Sequence, residues 1–296
     1  GMGEVWRGRH QLLARPAAIK LIRSDALETD PARAAVLRER FEREAQATAR
    51  LASPHTIDLY DFGISGDGTF YYVMELVSGI DLEQLVRRFG PLPPGRVVHL
   101  LKQACDSLEE AHRAGLVHRD IKPANLLGGP RGRHADFLRV LDFGLVKTET
   151  KPDAGEVKLS IENVVQGTPA YLSPEAVTGD VEVGPYSDIY ALGCVAYWLL
   201  TGKPVFDEDT PMGVAVAHAT RSPPPLDAHA PTASPVPDAL AAVVMDCLAK
   251  DPAHRPGGAM ELYRRLEACP GVSPWTPEAA FEWWQSHEPG TLQPAW

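Results

Sequence analysis

Within His118-Arg119-Asp120-Ile121-Lys122-Pro123-Ala124-Asn125, a carboxylate, a cation and a carboxamide fall within six residues, just after the apolar pair Leu116-Val117. Moving a phosphoryl group onto a hydroxyl needs these three residue types. A carboxylate orients the hydroxyl and takes its proton, a cation neutralises phosphate charge, and an oxygen donor holds metal. Asp120, Lys122 and Asn125 are the candidates. The competing reading is a polar loop with a chance Asp, and eight residues in this order argue against it.

A second metal candidate is Asp142 in Val140-Leu141-Asp142-Phe143-Gly144, 17 residues after Asn125, where an apolar strand would deliver the carboxylate and Gly144 would let the chain turn away. Asp-Phe-Gly alone is a weak signal, and Asp61-Phe62-Gly63 is another copy. That copy lies between two strand candidates with no comparable loop upstream, so it reads as a turn. A third feature is Lys20, ending the apolar segment Ala17-Ala18-Ile19. Glu44 falls on the apolar stripe of the next helix, between Phe41 and Thr48. A carboxylate facing a core is costly unless paired. Lys20 is one partner, which the pairing would aim at phosphates; solvent at the edge of the stripe is the other, and spacing leaves both open.

The elements that must position these groups follow from periodicity. Val5–Arg9 and Pro16–Ile22 read as strands. Asp30 as N-cap and Pro31 at the first helical position open a helix with Leu37, Phe41, Glu44, Thr48 and Leu51 on one face. Thr56–Gly63 and Thr69–Leu76 read as strands around the turn Ser65-Gly66-Asp67-Gly68. Beyond Gly79 the pattern is helical. Val98, Leu101, Cys105, Leu108 and His112 mark one long face, and Ser187 or Asp188 would cap the apolar helix Ile189–Leu200. That helix is apolar nearly all round, which places it inside a lobe. Ser222–Pro237 is Pro-rich and reads as a surface connection, and Thr276-Pro277-Glu278 opens a short helix carrying Phe281, Trp283 and Trp284. The fold class expected is α+β and bilobal: a small antiparallel β-sheet lobe with one main helix, and a large mainly helical lobe.

With 29 Lys and Arg against 39 Asp and Glu, the formal charge is −10, which exerts no bulk pull on nucleic acid or anionic membrane. Cys105, Cys194, Cys247 and Cys269 lack metal-site spacing and read as reduced thiols of a cytoplasmic protein. The longest apolar run, Ile189 to Leu200, is 12 residues, short of the roughly 20 a membrane span needs. The chain opens on Gly1 rather than Met, which reads as a cut.

Taken together, these motifs resemble the eukaryotic-like protein kinases, and within them the bacterial Ser/Thr kinases. The remaining motifs arrive in that family's order. Gly167-Thr168-Pro169-Ala170-Tyr171-Leu172-Ser173-Pro174-Glu175 resembles the end of an activation segment, with Ser173 where the family usually has Ala. Tyr186–Gly193 resembles the start of the central helix, and Asp251-Pro252-Ala253-His254-Arg255-Pro256 the late loop whose Arg pairs with the Glu175 position.

The resemblance covers residues 1–267. It implies a small lobe over 1–76 lacking its first strand, a large lobe over 77–267, and a Trp/Pro-rich extension over 268–296 that packs on the large lobe or serves as a linker. It also implies ATP and Mg²⁺ as cofactors, protein substrates with Ser or Thr acceptors, and a homodimer for phosphorylation of one copy by another. By position, Asp120 becomes the base, Lys122 the steadying cation, and Asn125 and Asp142 the metal ligands. Lys20 and Glu44 place ATP, and Thr168 with Lys122 is the Ser/Thr pattern. Met74 is the gatekeeper, Glu75 and Val77 offer hinge backbone groups, and Val5, Ala18 and Leu127 sandwich adenine.

Of the family's glycine-rich loop only Gly1-Met2-Gly3-Glu4-Val5 is present, with Gly1 and Gly3 near the phosphates, so weak ATP binding by these residues alone is expected. Asp142 to Glu175 spans 34 residues, long enough to be a mobile switch. Arg119 would receive a phosphate on Ser160, with Thr148 and Thr150 next in order; Glu162 would supply a standing charge, and an ordinary solvated loop is the bland reading. The alternatives are a pseudokinase or scaffold, and a small-molecule kinase.

Overall fold

The computed structural model describes residues 3–22, 31–66, 68–143, 168–228 and 235–292. Gly1, Asp30, Gly144, Thr148, Thr150, Ser160, Glu162 and Gly167 lie outside them. Among the described residues, the first 75 supply four strands and one helix: β1 (Gly3–Arg9), β2 (Pro16–Ile22), α1 (Pro31–Ala49), β3 (Leu59–Ile64) and β4 (Phe70–Glu75). They form an antiparallel sheet in the order β1-β2-β4-β3. Directly opposed residues share a face of a sheet. Val5 stands opposite Lys20 and Lys20 opposite Tyr72, while Ala18 stands opposite Met74. One face of the sheet therefore carries Val5, Ala18, Lys20, Tyr72 and Met74. α1 covers that face through Phe41, whose ring lies 4.4 Å from Phe70 and 4.7 Å from Tyr72.

After β5 (Ile80–Asp81) the chain turns helical, with α2 (Leu82–Phe89) and α3 (Pro94–Arg113). The hairpin β6 (Leu126–Arg131) and β7 (His134–Val140) joins β5 in a second sheet. Among the described residues the later elements are helices: α4 (Pro174–Thr178), α5 (Pro185–Thr201), α6 (Pro211–Thr220), α7 (Asp238–Cys247), α8 (Ala259–Glu267) and α9 (Pro277–His287). As its uninterrupted apolarity predicts, α5 is the axis of this lobe, with Ile189, Tyr190, Leu192, Val195, Tyr197, Leu199 and Leu200 at most 1% exposed. The bilobal α+β expectation is met. Cys105, Cys194 and Cys247 are buried free thiols, and Cys269 is half-buried. Among the described residues no helix is long and apolar enough to cross a membrane.

Three local expectations are corrected. Asp61-Phe62-Gly63 is not a turn but the middle of β3, with a register shift between Leu59 and Asp61. α5 starts at Pro185 with Gly184 at the N-cap, so neither Ser187 nor Asp188 is the N-cap residue, although Ser187, at the third helical position, closes the cap by accepting from the Gly184 amide at 3.2 Å. Both side chains have other work: Ser187 Oγ donates to Glu175 and Asp188 receives the loop before Asp120. The strands read as Thr56–Gly63 and Thr69–Leu76 are shorter, Leu59–Ile64 and Phe70–Glu75.

The C-terminal residues lie against the large lobe. Thr276 caps α9 by accepting from the Ala279 amide. Trp284 is fully buried, and its indole N–H donates to Asp136 at 2.9 Å, as does that of Trp275. Asp136 is also gripped by the buried Arg96 through two bonds of 2.8 and 3.0 Å. The fit is close at the start of α3, where a Cβ on Gly95 would come within 2.1 Å of the Ser273 carbonyl oxygen.

Candidate active site

Asp120 sits in the loop between α3 and β6. Its backbone is set from beneath by Asp188, a carboxylate on the first turn of α5 and 1% exposed. Asp188 accepts from the amides of His118 and Arg119 at 2.8 and 2.9 Å and faces His112 Nε2 at 2.8 Å. Arg119 is held at φ 63°, a left-handed conformation that costs a non-glycine residue on the order of 1–3 kcal/mol. The Asp188 bonds offset that cost.

His118 is fully buried, and burial lowers its basicity below the ordinary imidazole value. The neutral ring has one donor and one acceptor, and the surroundings sort them. Nε2 lies 2.7 Å from the Leu141 carbonyl and donates to it, while Nδ1 accepts from the Asp120 amide at 3.2 Å. One imidazole thus ties the Asp120 loop to the segment bearing Asp142.

Around Asp120 the three residues picked out by type come together. Lys122 Nζ donates to Asp120 Oδ2 at 2.8 Å. Asn125 Nδ2 donates to the same oxygen at 2.9 Å and to the Asp120 carbonyl at 2.8 Å. With its nitrogen committed to Asp120, Asn125 has its amide oxygen as the end available to a hard cation. The short 3-10 turn Pro123–Asn125 brings Asn125 back onto the loop. Asp142, two residues beyond β7, has φ 56°, the second non-glycine left-handed residue here. Thr168 lines a small cleft with Asp120, Lys122, Leu172 and Ser173.

Lys20 is not paired with Glu44. Its Nζ bridges to Asp142 Oδ2 at 2.6 Å, and among the described residues no Lys20–Glu44 ion pair forms. Glu44 is half-buried on α1, close enough to Tyr72 that its charge, after burial, raises the phenol's pKa. Spacing placed Glu44 on the apolar stripe between Phe41 and Thr48, both of which are buried; it had no means of showing that Asp142, 122 residues after Lys20, would arrive nearer.

The remaining expected residues fall in two groups. Ala18 and Met74 are buried together with Ile57, against Leu59, Val77 and Leu141. Leu127 is half-buried on β6 opposite Arg139, while Val5 is 64% exposed and Gly3 stands opposite Ile22 on β1. Glu75, at the end of β4, contacts the buried Arg139 at 2.8 Å. Sequence reading missed Arg139 and the anchoring work of Asp188. The signal existed in both cases: a charged residue inside an otherwise apolar element requires a partner.

Below the cleft, Glu175 and Arg255 form the pair expected of them, through two bonds of 2.8 Å. Burial pushes the Glu175 carboxyl up, but hydrogen bonds from Arg255 and Ser187 outweigh it and leave it below the ordinary range.

The family model described as "protein kinase domain" matches residues 1–265. The chain is 39% identical over 268 residues to the serine/threonine-protein kinase pkn3 of Myxococcus xanthus, covering 90% of this chain and 48% of that protein. It is 38% identical over 266 residues to the serine/threonine-protein kinase PknB of Mycobacterium leprae, covering 88% and 40%. The chain thus spans less than half the length of these curated relatives. Among solved structures, the crystal structure of Rad53 1–466 in complex with AMP-PNP superposes with a TM-score of 0.70 at 22% identity, over 90% of this chain and 61% of that one, a likeness of fold.

Proposed function

Since the chain belongs to the protein kinase domain family, we propose that it is a Ser/Thr protein kinase domain that transfers the γ-phosphoryl group of ATP to a hydroxyl of a protein. The observation that carries this reading is the Asp120 carboxylate, held by Lys122 and Asn125 on one oxygen and set in a cleft beside Thr168. Asp120 takes the proton of the acceptor hydroxyl as its oxygen bonds to the γ-phosphorus; the bond from that phosphorus to the β–γ bridging oxygen breaks, and ADP leaves. Lys122 neutralises charge on the moving group, and Thr168 faces the acceptor side. Lys20 reaches the α- and β-phosphates, with Glu44 on α1 as the carboxylate that would take it over from Asp142. Ala18, Leu127 and Val5 flank the adenine, Met74 backs it, and the backbone of Glu75 and Val77 binds its edge.

Asp142 and the Asn125 amide oxygen fit Mg²⁺, a hard cation that takes one or two protein oxygens and completes its shell with phosphates. Among the described residues no cluster of three or more His, Cys, Asp or Glu would hold a metal unaided, which suits a site completed by the nucleotide. Asp142 and Asn125 would hold the ion, which when bound would neutralise phosphate charge.

Arg119, beside Asp120, supports the further reading that a phosphate at Ser160, Thr148 or Thr150, placed by a second copy in a homodimer, organises the loop before Thr168. The acidic chain and its free thiols suit a cytoplasmic domain. Radiolabel transfer from ATP to a generic protein substrate tests the proposal. Asp120→Asn is expected to lower the rate by about 10²–10⁴-fold, and absence of transfer by the wild-type chain, or equal transfer by both, overturns it.

A further inference from the structure

One buried polar group on the small-lobe sheet is unused by the mechanism above. Tyr72 is 1% exposed and stands directly opposite Lys20 across β2 and β4, on the face that carries Val5, Ala18 and Met74. Lys20 in turn bridges to Asp142 at 2.6 Å. From the other side, α1 sets the ring of Phe41 4.7 Å from that of Tyr72. Glu44 follows Phe41 by three residues on α1 and so shares its helix face. Tyr72 therefore neighbours Lys20 and its Asp142 partner across the sheet, and the Glu44 turn of α1 above it.

Its hydroxyl is idle in this arrangement. Tyr72 Oη is buried and, among the described residues, closes no hydrogen bond. The buried side chains clustered with it are Ile22, Phe41, Ala45 and Phe70, none of which carries an acceptor. Leaving a donor in such a place costs free energy, whereas Phe would fill the same space without that cost. A second arrangement in which an acceptor reaches the hydroxyl accounts for it. Burial, and after it the charges of Glu44 and Asp142, raise the phenol's pKa above its ordinary value, so the group keeps its proton and donates to whatever carboxylate approaches. Asp142 is engaged by Lys20, while Glu44 rides on the helix packed against the Tyr72 ring.

We propose that Tyr72 is a positioning residue for the triphosphate: once Lys20 passes from Asp142 to Glu44, the Tyr72 hydroxyl donates to the Glu44 carboxylate and fixes it as the anchor that aims Lys20 at the phosphates. The exchange of Lys20 between carboxylates belongs to the kinase reading above, on which this inference rests. A carboxylate has lone pairs enough for both donors. A phenol that merely fills the core would make the loss of its hydroxyl silent in nucleotide binding.

The test compares wild type, Tyr72→Phe, Glu44→Gln and the double variant in urea unfolding without nucleotide, in calorimetric binding of Mg²⁺–ATP and of adenosine, and in phosphotransfer to a peptide. Tyr72→Phe loses a single hydroxyl, and its urea midpoint is expected to be unchanged or raised, because that hydroxyl is unpartnered without nucleotide. Its ATP binding is expected to weaken about tenfold, the scale of one hydrogen bond to a charged group, with adenosine binding and peptide KM within about twofold. In the Glu44→Gln background the same change is expected to alter ATP binding by less than about twofold. A lowered midpoint overturns the unpartnered hydroxyl. Equal ATP affinity, or an equal loss for adenosine, overturns the positioning role. An undiminished loss in the Glu44→Gln background overturns the route through Glu44. Wild type that binds ATP but transfers no phosphate removes the kinase reading alone, and the comparison of ATP with adenosine still decides the role of Tyr72. Wild type that binds no ATP overturns both.

Discussion

Two ion pairs, one under the cleft and one inside it, hold their carboxylates in opposite ways. Glu175 and Arg255 are 3% and 0% exposed at the side chain and meet through two bonds. The rest of the guanidinium is consumed by the carbonyls of Ala249, Lys250 and Tyr186. Lys20 and Asp142 are 24% and 29% exposed and meet at a single 2.6 Å contact, with Asp142 in a left-handed backbone. A buried pair with every donor used has no cheaper arrangement and specifies one architecture. A half-solvated, singly bonded pair loses little on changing partners, as the proposed phosphate and metal site would require. Architecture and chemistry are thus separated by degree of satisfaction rather than by residue type.

The comparison breaks most readily at its buried end. Arg255→Met leaves Glu175 in the interior without its guanidinium partner, an expected loss of roughly 3–5 kcal/mol in urea unfolding. The Glu175→Leu, Arg255→Met double variant is expected to lose less than Arg255→Met; a larger, additive loss would show that the two side chains act independently. Next comes the other buried pair, Arg96–Asp136, which is shared with the C-terminal residues. Trp284→Phe removes one indole donor from Asp136 but leaves Arg96 and Trp275 on it, so about 2–3 kcal/mol is expected from a lost bond to a charged group. A change near zero would mean that α9 is not part of the fold's stability. Smallest in stability is Lys20→Met, expected within about 1 kcal/mol of wild type because the pair is partly exposed, while phosphotransfer falls sharply. A stability loss matching that of Arg255→Met would erase the distinction.

Legibility followed the range of the forces involved. The strand Pro16–Ile22 was readable to the residue, because alternation and the flanking Pro are local. The burial of α5 was readable because a helix apolar all round has only one place to go. The three groups at Asp120 were readable because six residues of loop cannot separate them widely. Asp61-Phe62-Gly63 drew two readings, a turn and the end of the strand Thr56–Gly63, and pairing with β4 is what decides for the strand. Spacing left the partner of Glu44 open between Lys20 and solvent, and only the family resemblance implied Lys20, because neither shows which carboxylate lies nearest in space.

Residue type and spacing alone bring forward Asp120, Lys122, Asn125 and Asp142 as the groups on which the proposed phosphoryl transfer rests. They also settle the bilobal outline, through the change from strand to helix periodicity after Gly79. Only the tertiary structure decides which charges meet. Lys20 finds Asp142, Asp136 gathers Arg96 and two tryptophans, and Lys250 reaches His218 through Tyr190. Each depends on angstrom-scale distances between segments brought together by burial of the core, and a Coulombic or hydrogen-bonded partner is chosen by that distance rather than by place along the chain.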